Sequence, residues 1–242
     1  MLLFGIPVER IRALGESWSD GGLWDDIVWL AMLAWAAESE QERRMRWHHL
    51  VMAVGNFKRQ TGRRLGPVQV SPGTALRFAA RSAEFHGPTG FRVACEDPRS
   101  WRSLQSSLPG AAATTTTTIL TALWPDKHHI LDWRVLAAVV GLDIDSGQNH
   151  LGLVASGSRE QLQPDLERYA QVQPLLRNLA REACLPLAVL ERALYLLSKS
   201  VRGSGMTWAQ YGRAIAEAAP IPGARNDDGS PDDERDVPPA AP

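Results

Sequence analysis

The chain has 242 residues, 44% of them apolar, with 26 Lys+Arg against 27 Asp+Glu, a net charge of −1, two Cys and nine Trp. That is enough apolar side chain for one compact domain or two small ones sharing an interface, which excludes wholesale disorder. No run approaches ~18 apolar residues, so no membrane span is predicted, and Cys95 and Cys184 can form at most one bridge, too few for a four-thiolate zinc or iron–sulfur site.

The start, MLLFGIPVER, breaks its short apolar run at Pro7 before Glu9, unlike a secretory signal, so a cytoplasmic protein is expected. Residues 23–38 are apolar nearly all round, which predicts a buried helix opened by Asp20 or Gly21–Gly22, with Trp24, Trp29 and Trp35 mostly in the core. A second helix is predicted over 40–60, with His48 and His49 as surface and packing residues. Ser71-Pro72 and Asp97-Pro98 each read as a cap followed by proline in the first turn, opening helices to about Phe85 and Ser107. Further helices are predicted over 112–123, 132–141, 164–183, 186–199 and 207–218. No repeat of fixed period and no sheet-like alternation is present, so the expected fold is all-α.

One segment resists a helix locally. Thr114 to Thr118 followed by Ile119 makes six β-branched residues in a row. Each disfavours a helix by a few tenths of a kcal/mol. In context, a helix whose hydroxyls bond back to its own carbonyls is predicted. Thr114 and Thr118 then share one face.

Charge is unevenly spread. Residues 220–242 are rich in proline and carry six acids against two bases, so a disordered acidic tail is expected there at −4, leaving +3 for residues 1–219. Within that body Arg43, Arg44, Arg46, Lys58, Arg59, Arg63 and Arg64 cluster in sequence. A solvated helix face is the plain interpretation, and a phosphate-facing surface the sharper one.

The most informative stretch is 98–142, PRSWRSLQSSLPGAAATTTTTILTALWPDKHHILDWRVLAAVVGL. A short amphipathic helix meets Pro109-Gly110, a second apolar helix follows, then a Pro-Asp-Lys loop, then Asp132 at the head of another helix. Asp is a favoured N-cap, which by itself accounts for Asp132. The order and spacing resemble the helix-hairpin-helix DNA glycosylase superfamily, most of all its bacterial 8-oxoguanine DNA glycosylase-fold branch. Thr114 falls where bifunctional members carry a lysine, 18 residues before Asp132, and LERALYLLSKS (190–200) is similar to that branch's closing helix. The specific match covers about 45 residues.

The resemblance implies two packed helical subdomains with the active site in the cleft between them, over residues 1–219. It implies a double-stranded DNA partner, a monomeric protein and base flipping, since the glycosidic bond is out of reach inside a duplex. Asp132 is implied as the catalytic carboxylate beside C1′. Thr114, Thr118, Trp133, Glu191 and Tyr195 are implied as base-pocket residues. The hairpin residues Pro109, Gly110, Ala112 and Thr114 are implied to bind a DNA phosphate through the backbone N–H groups that the hairpin contributes, in the family often with a monovalent cation, and His129 and Arg134 would add phosphate or sugar contacts. No metal or other cofactor is expected: adjacent His128 and His129 point apart, and no third ligand has matching spacing.

Two departures bear on this. The hairpin's second glycine is Ala112 here, a penalty at positive φ. Threonine at 114 cannot form a Schiff base, so the implied enzyme removes a base without nicking the strand. It would act in repair, or in defence against phage DNA with modified bases. The alternative is a non-catalytic helix-hairpin-helix DNA-binding protein. An unrelated all-α domain is the third interpretation.

Overall fold

The computed structural model describes residues 1–18, 22–60, 96–106, 113–153, 157, 165–201 and 205–218. The helix expected over 71–85, the hairpin residues Pro109, Gly110 and Ala112, Cys95, Arg63, Arg64 and the acidic tail lie outside these residues, as do the side chains of Lys58 and Arg59.

Helices make up nearly all regular structure among the described residues, so the fold is all-α. The exception is at the start. Strands β1 (Leu2–Leu3) and β2 (Ile6–Pro7) form an antiparallel hairpin around Phe4 and Gly5, both at positive φ, the geometry of a two-residue turn. Leu3 and Ile6 point into the core. Helix α1 (Val8–Glu16) follows, burying Val8, Ile11 and Leu14. Neither element was expected from the sequence.

Helix α2 (Leu23–Trp35) starts at Gly22, whose φ of 87° suits glycine, with Asp25 and Asp26 in the first turn. The expectation of burial all round fails. Trp24, Ile27, Ala31 and Ala34 are buried, but Trp29 is 59% and Met32 63% exposed. Among the described residues, α2 packs chiefly on α3 (Glu40–Gln60) and α5 (Ala113–Leu123).

The three arginines near the start of α3 have partners within the chain, though Arg44 stays exposed. Arg44 pairs with Glu40, Arg46 with Glu42, and both Arg46 and Arg43 donate to backbone carbonyls, of Leu33 (2.6 Å) and Ala37 (3.3 Å). Arg44 is exposed and Arg43 and Arg46 are half-buried, in keeping with the plain interpretation of a solvated helix face.

Helix α4 (Pro98–Ser106) opens as expected, with Asp97 accepting from the Arg99 N–H at 2.9 Å. It packs Trp101 and Leu104 inward against α5 and α7 (Leu166–Glu182). The threonine run is helical in α5. Thr118 donates to the Thr114 carbonyl at 2.7 Å, Thr117 to the same carbonyl at 3.1 Å, and Thr121 to that of Thr117 at 2.7 Å. Bonding the hydroxyls back along the helix removes the cost of burying them, and their methyls fill the core.

Asp132 is the N-cap of α6 (Trp133–Asp145), as expected. The helix runs past Gly141 because that glycine serves a helix crossing and not a stop. A Cβ on Gly212 of α9 (Trp208–Glu217) would lie 1.9 Å from the Gly141 carbonyl oxygen. Asp165 caps α7, which continues through Pro174. Helix α8 (Leu187–Lys199) crosses α1 at Gly15, where a Cβ would sit 2.1 Å from the Val189 carbonyl oxygen. Thr207 and Gln210 close a capping box on α9. Helices α2, α3 and α4 gather on α5, while α1, α6, α8 and α9 pack on one another. One contiguous apolar core runs through both sets.

Candidate functional site

The loop from Trp124 to Asp132 joins α5 to α6. Its apolar residues Ile130 and Leu131 pull it inward, so its backbone groups must find partners away from water. They find them on side chains from three helices. Gln173 of α7 donates to the Lys127 carbonyl. The Tyr169 phenol, also on α7, accepts from the His129 N–H at 3.3 Å and lies 3.0 Å from His128 Nδ1. Glu191 of α8 accepts from the Ile130 N–H at 3.2 Å. Thr117 of α5 accepts from the Leu131 N–H at 2.9 Å. Asp132 ends the series: its N–H donates to the Ile130 carbonyl at 2.9 Å, and its Oδ1 accepts from the Arg134 N–H at 2.8 Å.

Asp132 is half-buried, so solvent reaches it. Beside it, the Arg134 guanidinium stacks on two rings, 4.7 Å from the Trp133 centroid and 5.6 Å from that of Tyr195. Such stacking contributes about 0.5–2 kcal/mol. Arg134 is buried, while Trp133, Tyr195, Glu191 and Thr114 are half-buried. Trp18 meets Tyr195 edge-on at 5.3 Å. Thus Asp132, Trp133, Arg134, Tyr195 and Glu191 do come together, around the head of α6 and the facing side of α8.

Three sequence expectations fit this arrangement poorly. Thr118 is fully buried with its hydroxyl given to Thr114, so it lines no open surface. Arg134 lies under two aromatic rings rather than out toward a phosphate. The His129 ring is 1% exposed, and neither ring nitrogen has a hydrogen-bond partner. Burial, with the neighbouring His128 charge acting the same way, holds its pKa at about 3 instead of 6.5. It is neutral at physiological pH and offers no cation to a phosphate. Its neighbours are aromatic: Tyr169 lies 4.8 Å away, and His128 packs among Trp101, Trp124 and Tyr169.

Thr117, Tyr169 and Gln173 were not singled out in the sequence. Their partners lie 14, 40 and 46 residues away in the chain, so no local spacing signals them. Among the described residues, no group of three or more His, Cys, Asp or Glu side chains could hold a metal ion, and no helix is long and apolar enough to cross a membrane. A cavity of about 270 Å³ opens at the start of the Trp124–Asp132 loop, lined by Asp126, Arg177, Arg181 and the α7–α8 turn, and Asp132 is not among its lining residues. No family model, no curated protein and no solved structure matches this chain.

Proposed function

We propose that this chain is a monofunctional DNA glycosylase. In this reading it flips a modified or damaged base out of double-stranded DNA and hydrolyses its N-glycosidic bond. The observation that carries the reading is Asp132, a half-buried carboxylate at the head of α6 whose approach loop is tied down residue by residue. As the C1′–N bond breaks, its electron pair leaves with the base and positive charge develops on the sugar. A fixed carboxylate stabilises that charge and orients the water that adds to C1′. The water's proton passes to the departing base or to solvent. The product is an abasic site in an intact strand, because Thr114, at the family's lysine position, has no amine for lyase chemistry.

The two sets of helices support a two-subdomain layout, since the loop before Asp132 is bonded to α5 in one set and to α8 in the other. Trp133 and Tyr195, half-buried beside Asp132, are the side chains best placed to meet an extruded base. By the resemblance, Pro109, Gly110 and Ala112, outside the described residues, would bind the phosphate.

The test uses the full chain with duplexes bearing 8-oxoguanine and with phage DNA carrying glucosylated cytosines, probing each for abasic sites. Release of a base from at least one, without nicking before alkali treatment, is expected. Asp132→Asn should abolish release and leave duplex binding intact. No abasic site on any of these DNAs would sink the enzymatic reading. A non-catalytic helix-hairpin-helix DNA-binding protein is the second reading. It is favoured by the cap bond to Arg134, which gives Asp132 a complete structural role. Under it the protein binds duplexes and Asp132→Asn changes nothing measurable.

A further inference from the structure

The two peptide N–H groups immediately before Asp132 are each held by a side chain remote in sequence. Ile130 donates to the Glu191 carboxylate and Leu131 to the Thr117 hydroxyl. The Thr117 hydroxyl in turn donates to the Thr114 carbonyl, so Leu131 is tied through one side chain to the backbone of α5. Glu191 sits on α8 beside the buried Leu187, Leu190 and Leu194, where a carboxylate drawn partly out of water gains from accepting hydrogen bonds. A carboxylate accepting a peptide N–H makes a stronger bond than a neutral acceptor. Neighbouring threonines show that the hydroxyl at 117 is distinctive. Thr116 is equally buried, yet its hydroxyl has no partner at all.

We propose that Thr117 and Glu191 are positioning residues for Asp132, clamping its loop from α5 and α8 so that the carboxylate is held in one place. This rests on the glycosylase reading for its purpose, though not for its geometry. Asp132 bonds to its own loop through its N–H and to Arg134 through Oδ1, so a loosened loop carries the carboxylate with it. Displacements near 1 Å at a reacting group cost on the order of a hundredfold in rate. Glu191 thereby takes a role other than lining a base pocket.

The experiment compares Thr117→Val, which keeps shape and loses the acceptor, with Thr117→Ser, which restores it, and Glu191→Leu with Glu191→Gln. Thr116→Val is the matched control. Single-turnover base release and affinity for a duplex bearing a stable abasic-site analogue are measured on each. Thr117→Val and Glu191→Leu should slow release roughly 10- to 100-fold with affinity little changed, and Ser and Gln should recover most of it. The Thr116→Val rate should match wild type. Unchanged release in both Thr117→Val and Glu191→Leu overturns the proposal.

A second measurement keeps it testable if wild type releases no base, an outcome that removes the enzymatic reading alone. Amide hydrogen exchange at Arg134, whose N–H binds Asp132, should speed up roughly tenfold in Thr117→Val and not in Thr116→Val. Equal protection of Arg134 in the two variants overturns the clamp.

Discussion

Acid should weaken this protein through His129. Its ring is buried with no partner for either nitrogen, and its pKa is lowered from 6.5 to about 3, chiefly by desolvation. Between those two values the unfolded chain binds a proton that the native ring refuses. Stability is therefore complete above about pH 6.5 and is lost as the pH falls below it, at ~1.4 kcal/mol per unit. At pH 5 the loss comes to about 2 kcal/mol. That figure hardly depends on the native pKa so long as it stays below about 4, because the native ring takes up almost no proton until then. It is a large share of a typical total of ~5–15 kcal/mol. Urea unfolding of wild type and His129→Phe near pH 7.5 and 5 measures it. Phenylalanine keeps a ring against Tyr169 and removes both nitrogens. Wild type should lose about 2 kcal/mol more than the variant between the two conditions. An equal loss in both proteins would refute the buried neutral ring.

Other substitutions follow from the same contacts. Asp132→Ala removes the cap on α6 and should lower the urea midpoint by an amount worth ~1 kcal/mol, whereas Asp132→Asn should stay within a few tenths. Equal midpoints for Ala and wild type would mean the bond to Arg134 is not made. Thr116→Val exchanges an unpartnered buried hydroxyl for a methyl, so thermal unfolding should show no loss and a gain of up to ~1 kcal/mol. A loss of that size would contradict it. Gly212→Ala forces a Cβ against the Gly141 carbonyl, which belongs to backbone and cannot swing away. It should cost ~2–3 kcal/mol in denaturant unfolding. A cost under ~0.5 kcal/mol, the range of substitutions that touch nothing, would show that α6 and α9 cross less closely.

The helices from Pro98 onward were legible because their signals are local. Asp97-Pro98 and Asp132 mark starts, and apolar spacing sets the buried faces. The threonine run was legible only in context, since its propensity alone points to a strand. The hairpin at Leu2–Pro7 was not legible. Two-residue strands show no alternation, and Phe4 at positive φ is not the residue such a turn advertises. Helix α2 misled for a different reason. Its composition is apolar all round, but composition does not say how many neighbours will cover it, and Trp29 and Met32 are left in solvent.

Asp132 at the head of a helix is written in the chain itself, as are the Pro-Gly and Asp-Pro punctuation and the all-α class. These depend on a few adjacent residues and on φ preferences that any fold respects. The tertiary structure alone decided that His129 is buried and neutral, that Arg134 lies under Trp133 and Tyr195, and that Thr117 and Glu191 hold the loop. Apart from Trp133, which is next to Arg134 in the chain, the partners that set these lie 14 to 61 residues away. Desolvation and hydrogen-bond satisfaction are sums over everything nearby in space, and no window of sequence contains those neighbours.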